Sequence, residues 1–251
     1  MNKISIAIIT LNEERNIRSC LNSVKDLTDD IVVVDSGSVD KTQEICNGYN
    51  VRFFHNDFVD YSSQKNYANS LTKYDYVLSL DADECLSPEL AASISKIKEL
   101  ENNTVYTFNR LNFHCGKAVR FCGWYPDKKQ RFWNKNTGRW SGTIHESFVF
   151  DSPPQFIHLK GDLLHYTYNS KEEHLKQAKK FAILNAEQDF KLGKKTRFFS
   201  SYLSYLLRFL TVFVLKFGFL DGKTGFFIAK TTAHATFLRN MKLYEMWKNK
   251  N

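Results

Sequence analysis

The sequence predicts an α/β chain: a mostly parallel sheet with helices on both faces and hairpin additions, followed by a helical C-terminal tail. Three observations carry that expectation. Apolar runs and helix-like segments alternate through the first hundred residues, the texture turns aromatic and strand-like after residue 103, and the pattern is helical from Ser170 onward. Strand and helix alternating over short loops build βαβ units, which lay their strands side by side and parallel.

The elements follow in order. Four apolar runs, residues 4–9, 31–34, 51–54 and 76–80, read as buried strands, and the segments 14–27, 41–47, 63–71 and 88–100 read as helices. The last helix has a well-defined start: Ser87 offers a capping hydroxyl, Pro88 suits the first helical position, and Glu89 faces the positive end of the dipole. Beyond residue 103, TVYTFNRLNF and FCGWYPDKKQRFWNKNTGRWSG are rich in aromatic and β-branched residues, and glycine-containing turns at 114–117 and 134–138 predict hairpins beside the parallel sheet. The change of pattern sets a boundary near Asn169, between an α/β domain over residues 1–169 and a helical region over 170–251.

A chain of 251 residues that is 43% hydrophobic and 15% aromatic can bury a substantial core, so disorder is excluded. The five cysteines are odd in number and contain no CxxC pair, which predicts reduced thiols in a cytoplasm rather than a disulfide framework or a thiolate zinc site. His114, Cys115 and Cys122 lack a fourth ligand at metal spacing. The N-terminal run is short, broken at Asn12 and without a small-residue cleavage site, so it is expected to be a first strand and not a signal peptide. The net charge of +8 is uneven: from Lys171 onward lie 16 of the 35 Lys and Arg but only 6 of the 27 Asp and Glu. Residues 1–170 are therefore slightly acidic and no nucleic-acid-binding motif occurs, so a nucleic-acid partner is not expected.

The stretch VLSLDADECLSPEL runs apolar residues straight into Asp81, Asp83 and Glu84. Unpaired buried charges are very costly, so those carboxylates need partners or a cation. In an open α/β sheet, ligands bind at the carboxyl ends of the strands where the strand order reverses, and Asp35 and Asp81 close two such strands. Carboxylates at i and i+2 suit Mg²⁺ or Mn²⁺ bridged to a diphosphate. A polar turn after a strand also carries acids for no such reason, so the aspartate pair alone is weak.

The combination is stronger. TLNEE after the first strand, VVDSGSVDKT after the second, SSQKNYA in the following helix and LDADE after the fourth, in that order and spacing over residues 4–90, resemble family 2 glycosyltransferases of the GT-A fold, a Rossmann-like sheet. RFWNKNTGRWSGTIHESF, LLHYTYNSKEEHLKQAKKFAILNAE and FLDGKTGFFIAKTTAHATFLRNMKLYE are similar to the later parts of the lipopolysaccharide core glucosyltransferase subgroup, which extends the resemblance over essentially the whole chain.

That resemblance implies an inverting hexosyl transfer from a nucleotide-sugar, UDP-glucose in this subgroup, to a lipopolysaccharide-core or related glycolipid. It implies that Thr10, Asn12 and Glu13 line the nucleotide pocket, that Asp35 binds the base, that Lys65 approaches the diphosphate or the base, that Asp81 lies near ribose and metal, and that Asp83 ligates Mn²⁺ or Mg²⁺. Family 2 enzymes commonly carry a Glu-Asp pair as the source of the general base, and this chain lacks one in that region. His145-Glu146 stands there instead, which makes Glu146 the expected base and His145 an acceptor-side group. Asp127, Asp162 and Asp221 are rival carboxylates, Asp221 reading also as a helix cap. Arg131, Arg139 and Trp140 suit a phosphorylated or acidic acceptor, or else belong to a hairpin and core, and His165 reads equally as a pyrophosphate or metal contact and as a core histidine. Two other readings stay open: transfer to capsule, O-antigen or polyprenyl-phosphate acceptors, and a nucleotide-sugar-binding scaffold without turnover.

The tail segment 197–220 is long enough to cross a bilayer but holds Arg208 and Lys216, each costing roughly 2.5–3.5 kcal/mol at a membrane centre. At about 100° per residue Arg197, Ser201, Ser204, Arg208 and Thr211 share one stripe, and the remainder is Phe, Leu, Tyr and Val. Such a helix lies on an anionic membrane or docks on protein, and the membrane reading predicts a peripheral enzyme on the cytoplasmic face of the inner membrane.

Overall fold

The computed structural model describes residues 3–101, 103–142 and 146–250. The chain divides into two compact units, residues 1–110 with 127–165 and residues 111–126 with 166–251. In the first unit the chain runs β1 (Ile4–Thr10), α1 (Ile17–Val24), β2 (Ile31–Asp35), α2 (Thr42–Asn47), β3 (Arg52–His55), α3 (Tyr61–Ser70), β4 (Tyr76–Asp81), β5 (Glu84–Leu86) and α4 (Pro88–Ser95). It continues through β6 (Thr104–His114), a short β7 (Lys117–Ala118), β8 (Asp127–Asn134), β9 (Gly138–Ser141), β10 (Ser147–Phe150) and β11 (Gln155–Tyr168). The last residues of β6 and β11, and all of β7, belong to the second unit.

The main sheet has the order β3-β2-β1-β4-β8-β6-β11-β5. The first four strands are parallel; β8 then pairs antiparallel with β4, β6 with β8 and β5 with β11. Chain order reverses between β1 and β4, because β2 and β3 extend the sheet one way and β4 the other. Register places Thr10 beside Asp35 and Ile9 beside Asp81, so three strands end at one level of the sheet. A ligand cleft forms where the order reverses in this way.

Successive side chains of a strand point to opposite faces. On one face Ile6, Ile8, Val33, Leu78 and Leu80 pack with Ile17, Leu21 and Val24 of α1 and with Leu90 and Ile94 of α4, whereas Ala7, Ile9, Val32, Val34 and Val77 meet Ala68 of α3 on the other. Helices thus cover both faces, which is why these strands are apolar throughout instead of alternating. α4 is capped as expected, with Ser87 Oγ accepting from Leu90 N at 3.2 Å, and α3 starts on Asp60, whose carboxylate accepts from Ser63 N at 2.7 Å.

Several expectations need correction. The helices expected over 14–27 and 88–100 are shorter, ending at Val24 and Ser95. Residues 134–138 form no hairpin: a 3₁₀ turn, Lys135–Thr137, leads from β8 into β9, which pairs with β10 in a separate two-stranded sheet. The turn at 114–117 does join a hairpin, since His114 pairs with Lys117 across β6 and β7.

The second unit is helical from Ser170, through α5 (Lys171–Lys191), α6 (Phe198–Leu210) and α7 (Gly222–Lys248). Residues 197–220 are not one helix: α6 passes into a π-helical turn, Thr211–Leu215, and then a 3₁₀ turn, Gly218–Asp221. This corner depends on close backbone approach, because a Cβ at Gly225 would lie 1.8 Å from the Gly218 carbonyl oxygen. α6 and α7 are antiparallel, with Phe198 on Tyr244, Tyr202 on Phe237 and Phe209 on Phe226. Asp221 precedes α7 but makes no side-chain cap; its carboxylate accepts from the amides of Arg120 and Phe121, the latter at 2.9 Å, and so ties residues 111–126 to the helices of this unit. His174 stacks on Tyr168 with centroids 4.2 Å apart and meets His114 through ring nitrogens at 3.2 Å. Burial, reinforced by His114, pushes the His174 pKa down to about 4.

Candidate functional site

The strand ends of the first unit open on a cavity of about 410 Å³, within the usual range for a small-molecule site. Thr10 and Glu13 from the end of β1, Asp81 and Asp83 after β4, Glu146 before β10 and His165 from β11 all line it. Residues 65 positions apart in sequence, Asp81 and Glu146, thereby face one space because β4 and the β9–β10 segment both end there.

The acids are partnered to different degrees. Glu84 is wholly buried, and its Oε1 lies 3.1 Å from Arg131 and 3.3 Å from Arg110, while its Oε2 accepts from Asp81 N at 3.1 Å. It is a turn-fixing group within a buried ion network, and protein cations are the partners it was expected to need. Asp81 shares Arg131 through Oδ2 at 2.8 Å, and its Oδ1 lies 3.1 Å from Lys65 Nζ. The Lys65 contact has ion-pair distance but not hydrogen-bond geometry, so Asp81 Oδ1 has no hydrogen-bond partner among the described residues. Burial raises the Asp81 pKa, but the Lys65 and Arg131 charges outweigh it and hold the carboxyl well below its usual range. Asp83 meets a different partner, His165 Nε2 at 3.1 Å.

Lys65 is almost completely buried on α3 and lies 3.0 Å from Glu146 Oε1 as well as 3.1 Å from Asp81. Its ammonium sits over the Trp140 ring, 4.7 Å from the centroid. Thr10 Oγ1, in the same wall, is likewise buried without a hydrogen-bond partner among the described residues. Buried polar atoms are ordinarily satisfied.

The expected site residues fall into three groups. Thr10, Glu13, Asp81, Asp83 and Glu146 reach the cavity, and Lys65 bridges two of them. Asp35 is buried behind the following turn, where its carboxylate accepts from the amides of Gly37 and Ser38 at 2.8 and 2.7 Å and from the Ser38 hydroxyl. Asn12, in the left-handed region at φ 54°, fixes the same turn by donating its amide to Ser38 Oγ and accepting from Val39 N. Arg131 and Trp140 are buried, Arg131 on Asp81 and Glu84, Trp140 against Trp133 and Phe148. Arg139 is exposed on β9, and His145 lies outside the described residues.

Sequence reasoning missed Phe58, Tyr61, Gln64 and Ser36 in the cavity wall and Arg110 behind it. Helical spacing could have found part of this: Tyr61, Gln64 and Lys65 stand at i, i+3 and i+4 on α3 and share one face. Burial together with Asp81, Glu146 and Asp83 raises the Tyr61 pKa. Among the described residues no three His, Cys, Asp or Glu side chains converge to hold a metal alone.

Residues 5–150 match the family model described as glycosyl transferase family 2. An uncharacterized glycosyltransferase of Rickettsia typhi is 34% identical over 98% of this chain and 88% of its own length. The lipopolysaccharide core biosynthesis glycosyltransferase LpsC of Rhizobium meliloti is 27% identical over 96% of this chain and 92% of its own. Among solved structures, S. aureus TarS 1–349 aligns over 100% of this chain and 92% of that chain, at 16% identity and a TM-score of 0.45.

Proposed function

The chain belongs to glycosyl transferase family 2, and on that premise we propose that this glycosyltransferase moves a hexose, with inversion, from a nucleotide-sugar donor to a lipopolysaccharide-core or related glycolipid. UDP-glucose is the donor we favour. The observation that carries the reading is the convergence of Thr10, Asp81, Asp83 and Glu146 on one cavity at the point where the strand order reverses.

In this reading Thr10, Asn12 and Glu13 form the nucleotide side. Asp35, whose carboxylate fixes the turn at Gly37 and Ser38, is assigned to the base side of that pocket. Asp83 and His165, which meet each other at 3.1 Å, are the residues that would hold a divalent cation, giving up that contact to it. When bound, Mn²⁺ or Mg²⁺ neutralises charge on the departing diphosphate. Lys65 and Arg131 keep Asp81 ionised beside it.

Glu146 is the proposed base. Its carboxylate takes the proton of the acceptor hydroxyl as that oxygen bonds to the anomeric carbon, and the bond from that carbon to the phosphate oxygen breaks with its electron pair leaving on the nucleoside diphosphate. Arg139 and His145 are assigned to the acceptor side. We assign this chemistry to residues 1–169 and contact with the cytoplasmic face of an anionic membrane to the helices of 170–251, where the excess positive charge is concentrated.

The test measures transfer from UDP-glucose to a delipidated and an intact lipopolysaccharide core lacking its outer hexose. Glu146→Gln is expected to bind UDP as the parent does and to lose turnover. A parent chain that binds UDP-sugar but transfers to no acceptor would replace this reading with that of a binding scaffold, and selective transfer to a polyprenyl phosphate would replace the acceptor.

A further inference from the structure

The α6 helix buries one hydroxyl and exposes most of its apolar side chains, with Arg197 and Arg208 of its polar stripe exposed as well. Ser201, on the hydroxyl-bearing stripe, is fully buried, while Phe199 is 82% exposed, Leu203 58%, Leu207 54% and Leu215 71%. With Tyr202, Leu206 and Leu210, also exposed, Phe199, Leu203 and Leu207 cover an arc of about 140° at 100° per residue, and the exposed Val214 and Leu215 follow in the π-helical turn. The hydroxyls on the helix do not call for water, because Ser204 Oγ donates to Ser200 O and Thr211 Oγ1 to Leu207 O, both at 2.7 Å. The corner that follows adds Phe217, Phe219 and Leu220, all exposed. A contiguous apolar face of this extent marks a surface with a partner.

Charge identifies the partner. Lys194, Lys195 and Arg197 precede the apolar arc and Lys216 and Lys223 follow it, all five exposed, within a region holding 16 Lys and Arg against 6 Asp and Glu. A second copy of the chain would bring the same positive charges together. An anionic bilayer meets both features, apolar arc to acyl chains and basic ends to headgroups.

The same features fix the orientation. Residues Phe198–Leu215 are long and apolar enough to cross a membrane by length and composition. However, α6 is paired antiparallel along α7, through Phe198–Tyr244, Tyr202–Phe237 and Phe209–Phe226. A crossing α6 would draw Lys230, Arg239 and Lys242 of α7 into the hydrocarbon and carry one basic end to the far side. We propose that the α6–α7 hairpin binds an anionic lipid surface in plane, with the α6 arc and the corner 217–220 sunk to the acyl boundary and neither helix crossing. This rests on the proposal that the helical region meets a membrane, and it adds the surface, the lipid charge and the orientation.

The test uses the full chain and vesicles of phosphatidylcholine with and without phosphatidylglycerol, with neither donor nor acceptor present. Flotation is expected only with phosphatidylglycerol, weakening as salt rises. Leu206→Glu with Leu210→Glu is expected to reduce partitioning by about tenfold or more, with unchanged helical circular dichroism and unchanged UDP binding in the other unit. Should that variant misfold, depth is read instead from an environment-sensitive dye on cysteines placed at Phe199, Leu207 and Leu215 in a Cys115→Ser chain, the other four cysteines being buried. Equal, shallow quenching by brominated lipids at all three is the expected result. Deep quenching at Leu207 alone means a crossing helix, binding indifferent to lipid charge removes the electrostatic argument, and a lipid-free dimer dissolved by the glutamates makes the face a self-interface. Any of these overturns the proposal, whereas loss of transfer with intact vesicle binding would overturn only the catalytic reading.

Discussion

The two units of this chain carry opposite kinds of unfinished surface. In the first, charge is drawn inward: Glu84 is completely enclosed and Asp81 partly so, both are held by Arg131, and the network extends through Arg110 to Asp127 at 2.8 Å. In the second, apolar surface is exposed along α6 while its Ser201 is enclosed. The contrast shows where each unit's missing partner lies. The first unit supplies Arg131 and Lys65 to Asp81 and Arg131 and Arg110 to Glu84, so its acids meet protein cations. The second unit turns leucines outward, which is the surface the membrane proposal uses.

The largest expected effect breaks the contrast at the base. Glu146→Gln is expected to lower turnover by about 10²–10⁴-fold, the usual worth of a positioned base, while UDP binding is unchanged by calorimetry. Next comes the enclosed network. Arg131→Met removes the cation that Glu84 and Asp81 share and leaves Glu84 with Arg110 and Asp81 with Lys65, so the first unit is expected to lose stability in urea unfolding by less than the about 3–5 kcal/mol of a wholly uncompensated buried charge.

A third prediction follows from His174 in the second unit. Its folded pKa, about 4, lies below the ordinary histidine value, so between those values the unfolded chain binds the additional proton. Stability is therefore complete above the ordinary value and is lost as pH falls toward the folded one, by up to about 3 kcal/mol. His174→Phe is expected to flatten the pH dependence of unfolding followed through the helical signal. The smallest effect is on α6, where Leu206→Ser, on an exposed position, is expected to change stability by less than about 0.5 kcal/mol. A large loss there would mean that the face is packed against protein.

The first unit is legible in the sequence and the second only in outline. Strands buried on both faces are apolar throughout, so β1, β2 and β4 stand out, and hydropathy alone puts the acids that close β2 and β4 at strand ends. The partners of Glu84 are not legible, because its cations come from Arg110 and Arg131, 26 and 47 positions away on strands whose pairing is tertiary. The turn 134–138 misleads for a similar reason: its glycine opens β9, whose partner is β10 and not the preceding strand. On α6, periodicity reveals a hydroxyl stripe, but only tertiary packing decides that its Ser201 is buried while its Arg197 and Arg208 stay exposed.

The most direct test of the central claim, that the strand-end acids bind a nucleotide-sugar, is calorimetric titration of UDP-glucose with and without Mn²⁺ into the parent chain and Asp83→Ala. Binding that requires Mn²⁺ in the parent and is lost in the variant is the predicted result. Equal binding by both chains, with or without Mn²⁺, would contradict it, leaving the aspartates at the end of β4 as a polar turn and nothing more.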